Sequence, residues 1–231
     1  MTHYVGTIAR LFLVSALTVP CLPASNAAVD RCLRAARVLD SVMGTPEKAI
    51  PQDLMSRSHC VAIIPGVKKA GFVVGGHFGK GVLLCRGENG LGWTAPTAVR
   101  IEGGSVGLQI GGSSTDLVLL IMNKRGAMKL LSSKFTLGAD AAVAGGPLGR
   151  SAQAQTDAQL HAEILSYSRS KGLFAGVSLE GATLRPAHDA NERLYGQPID
   201  PKQVLASNVE APLSVQPLMD ALNRYSSMKH R

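Results

Sequence analysis

Between Val29 and Met43 apolar residues recur at the three- and four-residue spacing of a helix. On a helical wheel Val29, Cys32, Leu33, Ala36, Leu39 and Met43 share one face, and Arg31, Arg34 and Arg37 lie on the other. Gly44-Thr-Pro46 stops this element, and a second short helix is expected over Pro51–Ser58. From Cys60 the period changes to two. Val61–Ile64 predicts a strand ended by a turn at Pro65-Gly66, and Gly71–Gly75, Val82–Arg86 and Thr94–Ile101 are short and β-like. Val106, Leu108 and Ile110 alternate with Ser105, Gly107 and Gln109, the pattern of a half-buried strand. Thr115–Met122 carries a continuous apolar run from Leu117, which predicts a strand covered on both faces. Leu173, Ala175, Val177 and Leu179 alternate with Phe174, Gly176, Ser178 and Glu180, a further strand. Helices are expected at Lys124–Ser132, Arg185–Tyr195, Pro201–Ser207 and Pro217–Met228, with Asp200 as cap and Pro201 at the first helical position. Gly149–Gln159 is polar without a clear period and reads as a mobile loop.

Glycine pairs punctuate the strand region at Gly75-Gly76, Gly103-Gly104, Gly111-Gly112 and Gly145-Gly146. Glycine inside strands marks bulges and tight bends, which a small closed sheet needs. The expected fold is therefore α+β: an antiparallel, barrel-like sheet with helices packed on its outside.

The N-terminus changes the domain picture. Arg10, the apolar stretch Leu11–Val19 and Ser25-Asn-Ala27 have the order of a secretory signal peptide. Residues 1–27 are expected to be removed, leaving 28–231 as one domain with a C-terminal helical extension from about residue 206. The chain is then exported and periplasmic or envelope-associated. A short buried helix and a lipid-modified Cys21 are the alternatives, and Pro20 before Cys21 counts against the second. No apolar run reaches the ~18 residues of a membrane-spanning helix. Beyond the signal, Cys32, Cys60 and Cys85 allow at most one internal disulfide; Cys60 and Cys85 are either core residues or that pair.

Charge adds a partner class. The net charge is +8, and the excess is uneven. From Ala28 to Phe135 there are fourteen Lys or Arg against seven acids, and from Thr136 to Arg231 nine of each. Several cations flank glycines: Lys68 and Lys69 after Pro65-Gly66, Lys80 between Gly79 and Gly81, Lys124 and Arg125 before Gly126, and Arg150 after Gly149. Such turns either present N–H groups and charge to a phosphate or are simply solvated. Nucleic acid is disfavoured, because few aromatics are available to stack on bases and export removes the chain from it.

Catalytic patterns are weak. Gly103-Gly-Ser105-Val-Gly107 has the spacing of a nucleophile elbow, but an alternating strand follows Ser105 where the elbow needs a helix. His59, Cys60, His77 and Cys85 match no compact zinc spacing. No phosphate-binding loop, dinucleotide fingerprint or calcium loop occurs, so neither an enzyme nor a cofactor is expected.

Several blocks carry a resemblance. Ile64-Pro-Gly-Val-Lys-Lys-Ala-Gly-Phe-Val-Val-Gly-Gly-His-Phe-Gly-Lys-Gly-Val82, Gly92-Trp-Thr-Ala-Pro96 and Gly104-Ser-Val-Gly-Leu-Gln-Ile-Gly111 come in order. Thr115–Asn123, Lys134-Phe-Thr-Leu-Gly-Ala-Asp140, Ala144-Gly-Gly-Pro-Leu-Gly-Arg150, Ile164–Gly181 and Asn191-Glu-Arg-Leu-Tyr-Gly196 follow. From Val29 to Leu205 the chain resembles the SYLF family, the lipid-binding domain of actin-associated Ysc-type proteins. The resemblance implies a β-barrel core with outer helices, binding of phosphoinositides or other anionic lipids, and no catalysis. It also implies that a basic amphipathic N-terminal segment contributes to lipid binding, and the Arg31, Arg34, Arg37 helix stands in that position. With no SH3 or FYVE module read beside the domain, and with export, actin is not the expected partner. Phosphatidylglycerol, cardiolipin or lipopolysaccharide phosphates are expected instead. An envelope scaffold or stress protein with a protein partner, or an undetected hydrolase, are the rival readings.

Overall fold

The structure, a computed structural model, describes residues 26–45, 47, 49–71, 74–87, 90–106, 113–123, 126, 129–130, 134–149, 159, 161–170, 172–177, 179–206 and 209–227. Helices α1 (Ala27–Met43) and α2 (Gln52–Arg57) precede nine strands: β1 (Cys60–Gly71), β2 (Val74–Cys85), β3 (Thr97–Val106), β4 (Ser113–Ile121), β5 (Phe135–Thr136), β6 (Val143–Gly145), β7 (Ile164–Ser170), β8 (Leu173–Gly176) and β9 (Thr183–Pro186). Helices α3 (His188–Tyr195), α4 (Pro201–Ala206) and α5 (Gln216–Ser226) follow. The strands form one sheet in the order β5-β9-β3-β2-β1-β4-β7-β6, with β8 also on β7. All pairs are antiparallel except β6 with β7.

Chain length forces this sheet to curl. Laid flat, eight strands would put β5 and β6 about 34 Å apart. The seven steps from Thr136 to Val143 reach at most about 24 Å. The connecting segment bonds both edges: Leu137 N–H donates to Ala182 O at 2.8 Å, and Glu163 N–H donates to Ala142 O at 2.9 Å. The expected barrel-like α+β architecture is thus present as a curled half-barrel.

Period-2 alternation sorts the core into two clusters. Ala62, Ile64, Leu83, Val99, Ile101, Leu117, Leu119 and Leu184 pack together on the inner face of the curl. Val61, Ile63, Val82, Leu84, Val118 and Leu120 face outward and are covered by α1 and α5. This explains the unbroken apolar run at β4, which is covered on both sides. The run from Cys60 does not turn at Pro65-Gly66. It bulges there, with Gly66 at φ +64°, and continues as β1. The short β-like pieces at Gly71–Gly75 and Val82–Arg86 accordingly belong to two long strands paired as a hairpin. The Cys60–Cys85 disulfide closes the open end of that hairpin, where the two residues are register partners with Cα atoms 3.9 Å apart. Cys32 is free and buried.

Two other expectations are corrected. Arg185 lies on β9, and helix α3 begins only at His188, since Pro186 halts one element before the next begins. The alternation from Leu173 yields only the short strand β8, with Leu173 and Ala175 exposed at an edge rather than packed on the core. Ser105 stands in strand β3 opposite Gly75, in the strand context expected of it and not on a strand-to-helix elbow. Asp200 does cap α4, accepting from Lys202 N–H at 2.9 Å. The stretch 150–158 of the expected loop, and most of Lys124–Ser132, lie outside the described residues.

Candidate cationic surface

Helix α1 crosses the outer face with Ala28, Cys32, Ala35, Ala36, Val38, Leu39 and Val42 buried. This face is rotated from the expected one: Val29, Leu33 and Met43 are only partly covered. The three arginines consequently do not share one solvated face. Arg37 and Arg34 are exposed, and neither forms an ion pair among the described residues. Arg31 sits on the shoulder of the buried face and is half-buried. Burial, then repulsion from Arg34 and Arg193, draws its guanidinium pKa down. One long edge of α1 meets α5 through the Asp40–Arg224 pair at 3.5 Å. The other edge, with Arg31, turns toward α3, whose Arg193 carbonyl accepts from Asn26 Nδ2 at 2.6 Å.

The strand cations are placed by pleat rather than by turns, which corrects the glycine-turn reading. Lys68 and Lys69 lie after the bulge on β1, and alternation sends them to opposite faces. Lys68 is exposed on the outer face opposite Phe78, whereas Lys69 pairs with His77 on the inner face. Lys80 stands in the middle of β2. Its flanking glycines are there because β1 passes close beneath: a Cβ on Gly79 would come within 2.7 Å of Val67, and one on Gly81 would run into the Ile63 carbonyl.

Lys80 is the first rung of a row that the sequence did not reveal. It lies directly opposite Arg100 on β3, and Arg100 lies directly opposite Arg185 on β9. Neighbouring Val99, Ile101 and Leu184 all point inward, so the three cations point outward. The Lys80 and Arg100 side chains are 33% and 39% exposed. Two carboxylates serve the row. Asp189 Oδ2 lies 3.6 Å from Lys80 Nζ and 2.6 Å from Arg193 Nη2, and Glu102 Oε1 lies 3.2 Å from Arg100 Nε. Burial pushes the Asp189 carboxyl up, but Lys80, Arg193 and a backbone N–H outweigh it and hold it below the ordinary carboxylate value. The Nε atom of Arg185 is buried without a hydrogen-bond partner, and that of Arg100, also buried, meets Glu102 as an ion pair without hydrogen-bond geometry. Arg185 has no ion pair among the described residues. Val99, Ile101 and Leu184 could have suggested outward-facing Arg100 and Arg185, but their alignment with Lys80 required the strand register.

Lys124, Arg125 and Arg150 fall outside the described residues. Farther along the outer face, Arg169 is committed to structure. It donates to Asp116 Oδ2 at 2.9 and 3.0 Å and to Ser41 Oγ, while Asp116 Oδ1 accepts from Gly66 N–H at the bulge. A cleft of about 230 Å³ beside it is lined by Ser41, Val42, Thr45, Arg169, Gly172 and Phe174. Cys60 and Cys85 are bonded to each other, which removes them as thiolate ligands for a metal. No cluster of three metal-ligating residues occurs among the described residues.

Comparison with known proteins bears on most of the chain. A family model described as Ysc84, Las17-binding protein actin regulator, matches residues 102–225. An SH3 domain-containing protein of Schizosaccharomyces pombe is 37% identical over 87% of this chain and 48% of its own length. LAS seventeen-binding protein 3 of Saccharomyces cerevisiae is 39% identical over 76% of this chain and 39% of its own length. SH3 domain-containing YSC84-like protein 1 of Rattus norvegicus is 34% identical over 78% and 53%. The chain thus spans about half or less of these relatives, one of which is named as a binding protein and two as SH3 domain-containing proteins.

Proposed function

The chain belongs to the Ysc84 family, and from that premise we propose that it is a non-catalytic module that docks on anionic lipid headgroups through the outer face of its sheet. One observation carries this reading. Exposed Arg34 and Arg37 on α1, Lys68 on β1 and the Lys80–Arg100–Arg185 row stand on the same side of the curl, and Arg34, Arg37, Lys68 and Arg185 form no ion pair among the described residues. A surface of this kind attracts anionic membranes, with each Lys or Arg near the surface contributing about 1 kcal/mol. The disulfide supports export, because such bonds persist in oxidising compartments. The N-terminal apolar stretch supports it as well, and phosphatidylglycerol, cardiolipin or lipopolysaccharide phosphates are then the headgroups available.

Sedimentation with phosphatidylglycerol vesicles tests the reading. Replacing Arg34, Arg37 and Lys68 together by Gln should weaken partitioning by up to roughly a hundredfold. Thermal stability should stay unchanged, since all three side chains are exposed. Wild-type binding with an unchanged salt slope in this variant would remove the outer face from the account. A protein partner is the second reading, favoured by the names of the relatives. It gains if the wild-type chain ignores the vesicles altogether.

A further inference from the structure

Like charges placed directly opposite on neighbouring strands repel, and sheets ordinarily avoid them. Here three cations stand abreast on β2, β3 and β9, with side chains about 5 Å apart at their roots. Arg193 adds to the same neighbourhood through its ion pair with Asp189. Among the described residues the ion pairs of the row and of Arg193 engage two carboxylates, Asp189 and Glu102. The excess is concentrated rather than spread, and the buried Arg185 Nε–H in it has no hydrogen-bond acceptor.

Helix α3 strengthens the positive field. It starts at His188, three residues after Arg185, and its N-cap residue Ala187 makes no side-chain cap hydrogen bond. The N-terminus of a helix carries partial positive charge and free N–H groups, a setting that favours an anion. Asp189 sits in that first turn and reaches both Lys80 and Arg193. It is the only anionic oxygen paired with either cation among the described residues.

We propose that the Lys80–Arg100–Arg185 row is a binding site for a phosphate monoester, and that Asp189 is its resident placeholder, displaced when the phosphate arrives. A monoester carries close to two negative charges at neutral pH and three acceptor oxygens. That charge matches the local excess better than a phosphodiester, which carries one. The oxygens match two guanidinium forks and an ammonium group, the donors best suited to phosphate. The exposure of Lys80 and Arg100, at about a third of each side chain, leaves the row reachable from solvent. Phe78, 46% exposed two residues before Lys80 on the same face, gives the site an apolar margin. The membrane reading enters only for the source of the phosphate, which is either a lipid headgroup or a free phosphate.

Titration of the full chain with inorganic phosphate and with dimethyl phosphate, followed by backbone amide shifts, tests the site. Phosphate should bind at least tenfold more tightly than the diester. The Arg100→Gln, Arg185→Gln double variant should lose phosphate binding tenfold or more, and Asp189→Asn should strengthen it severalfold. The opposite signs separate a binding role from a folding defect. Equal affinity for the two probes, no saturation by phosphate, or indifference to all three substitutions would overturn the proposal.

A vesicle arm identifies the source. Preference for phosphatidic acid over phosphatidylglycerol at matched surface charge, abolished in the double variant, points to a headgroup. Saturable phosphate binding without that preference supports the same site with a free phosphate as ligand. If neither vesicle is bound, the membrane reading fails while the phosphate titration still decides the site.

Discussion

Single side chains show most plainly where this fold is held and where it is vulnerable. Arg86, at the end of β2, lies 4.1 Å over the ring of Trp93. Its guanidinium donates to the carbonyls of Met55, Ser56, Ser58 and Ser226 at 3.1–3.4 Å. It thereby ties the ends of α2 and α5 to the sheet, while Trp93 Nε1 donates to Ser226 Oγ at 3.0 Å. Arg86→Ala should destabilise the protein by about 3 kcal/mol in denaturant titration, since several carbonyls lose a charged donor and the ring loses its cation. Lysine should recover little of this, because it lacks the planar fork. His77 makes a second prediction. It lies on the inner face with Nε2 buried and unpartnered, opposite Lys69. Burial first, and Lys69 second, lower its pKa below 6.5. The folded state therefore binds this proton less readily than the unfolded chain. Stability should be full above that value and decline as the pH falls through it toward the folded-state value. His77→Gln should flatten the decline in unfolding curves taken from neutral to mildly acidic pH.

At the scale of elements, local pattern named most helices and strands but could not place their faces. The apolar spacing of α1 was plain in the sequence. Its burial is centred on Ala28, Cys32, Ala35 and Leu39 because α1 must lie between the sheet, α3 and α5. No wheel contains those neighbours, so Arg31 passed for a solvated residue. Pro65-Gly66 has the composition of a turn, and only pairing with β2 and β4 on either side makes it a bulge. That difference moves Lys68 and Lys69 from one loop onto two faces. The β1–β2 hairpin also carries a prediction of its own. Its disulfide closes a loop of 25 residues, for which chain entropy gives about 3.5 kcal/mol. Cys60→Ser with Cys85→Ser should lower the unfolding midpoint accordingly, and reduction should do the same to the wild type. A double variant as stable as the wild type would show that the paired strands alone hold this end.

For the molecule as a whole, the sequence told the fold class and family resemblance well and the binding surface poorly. The charge count assigned all the excess to the first half of the chain. Folding then brings Arg185 and Arg193, from the neutral half, beside Lys80 and Arg100. Surface charge is thus decided by strand order, β9 next to β3 next to β2, and not by position along the chain. The central claim is that this assembled outer face docks on anionic membranes. Its most direct test is binding of the wild-type full chain to vesicles in which phosphatidylglycerol replaces phosphatidylcholine stepwise, repeated at increasing salt. Exposed charges are screened over about 10 Å at 0.1 M salt, so docking by this face should rise steeply with anionic lipid and fall steeply with salt. Equal binding to neutral and anionic vesicles, or binding indifferent to salt, would contradict the account.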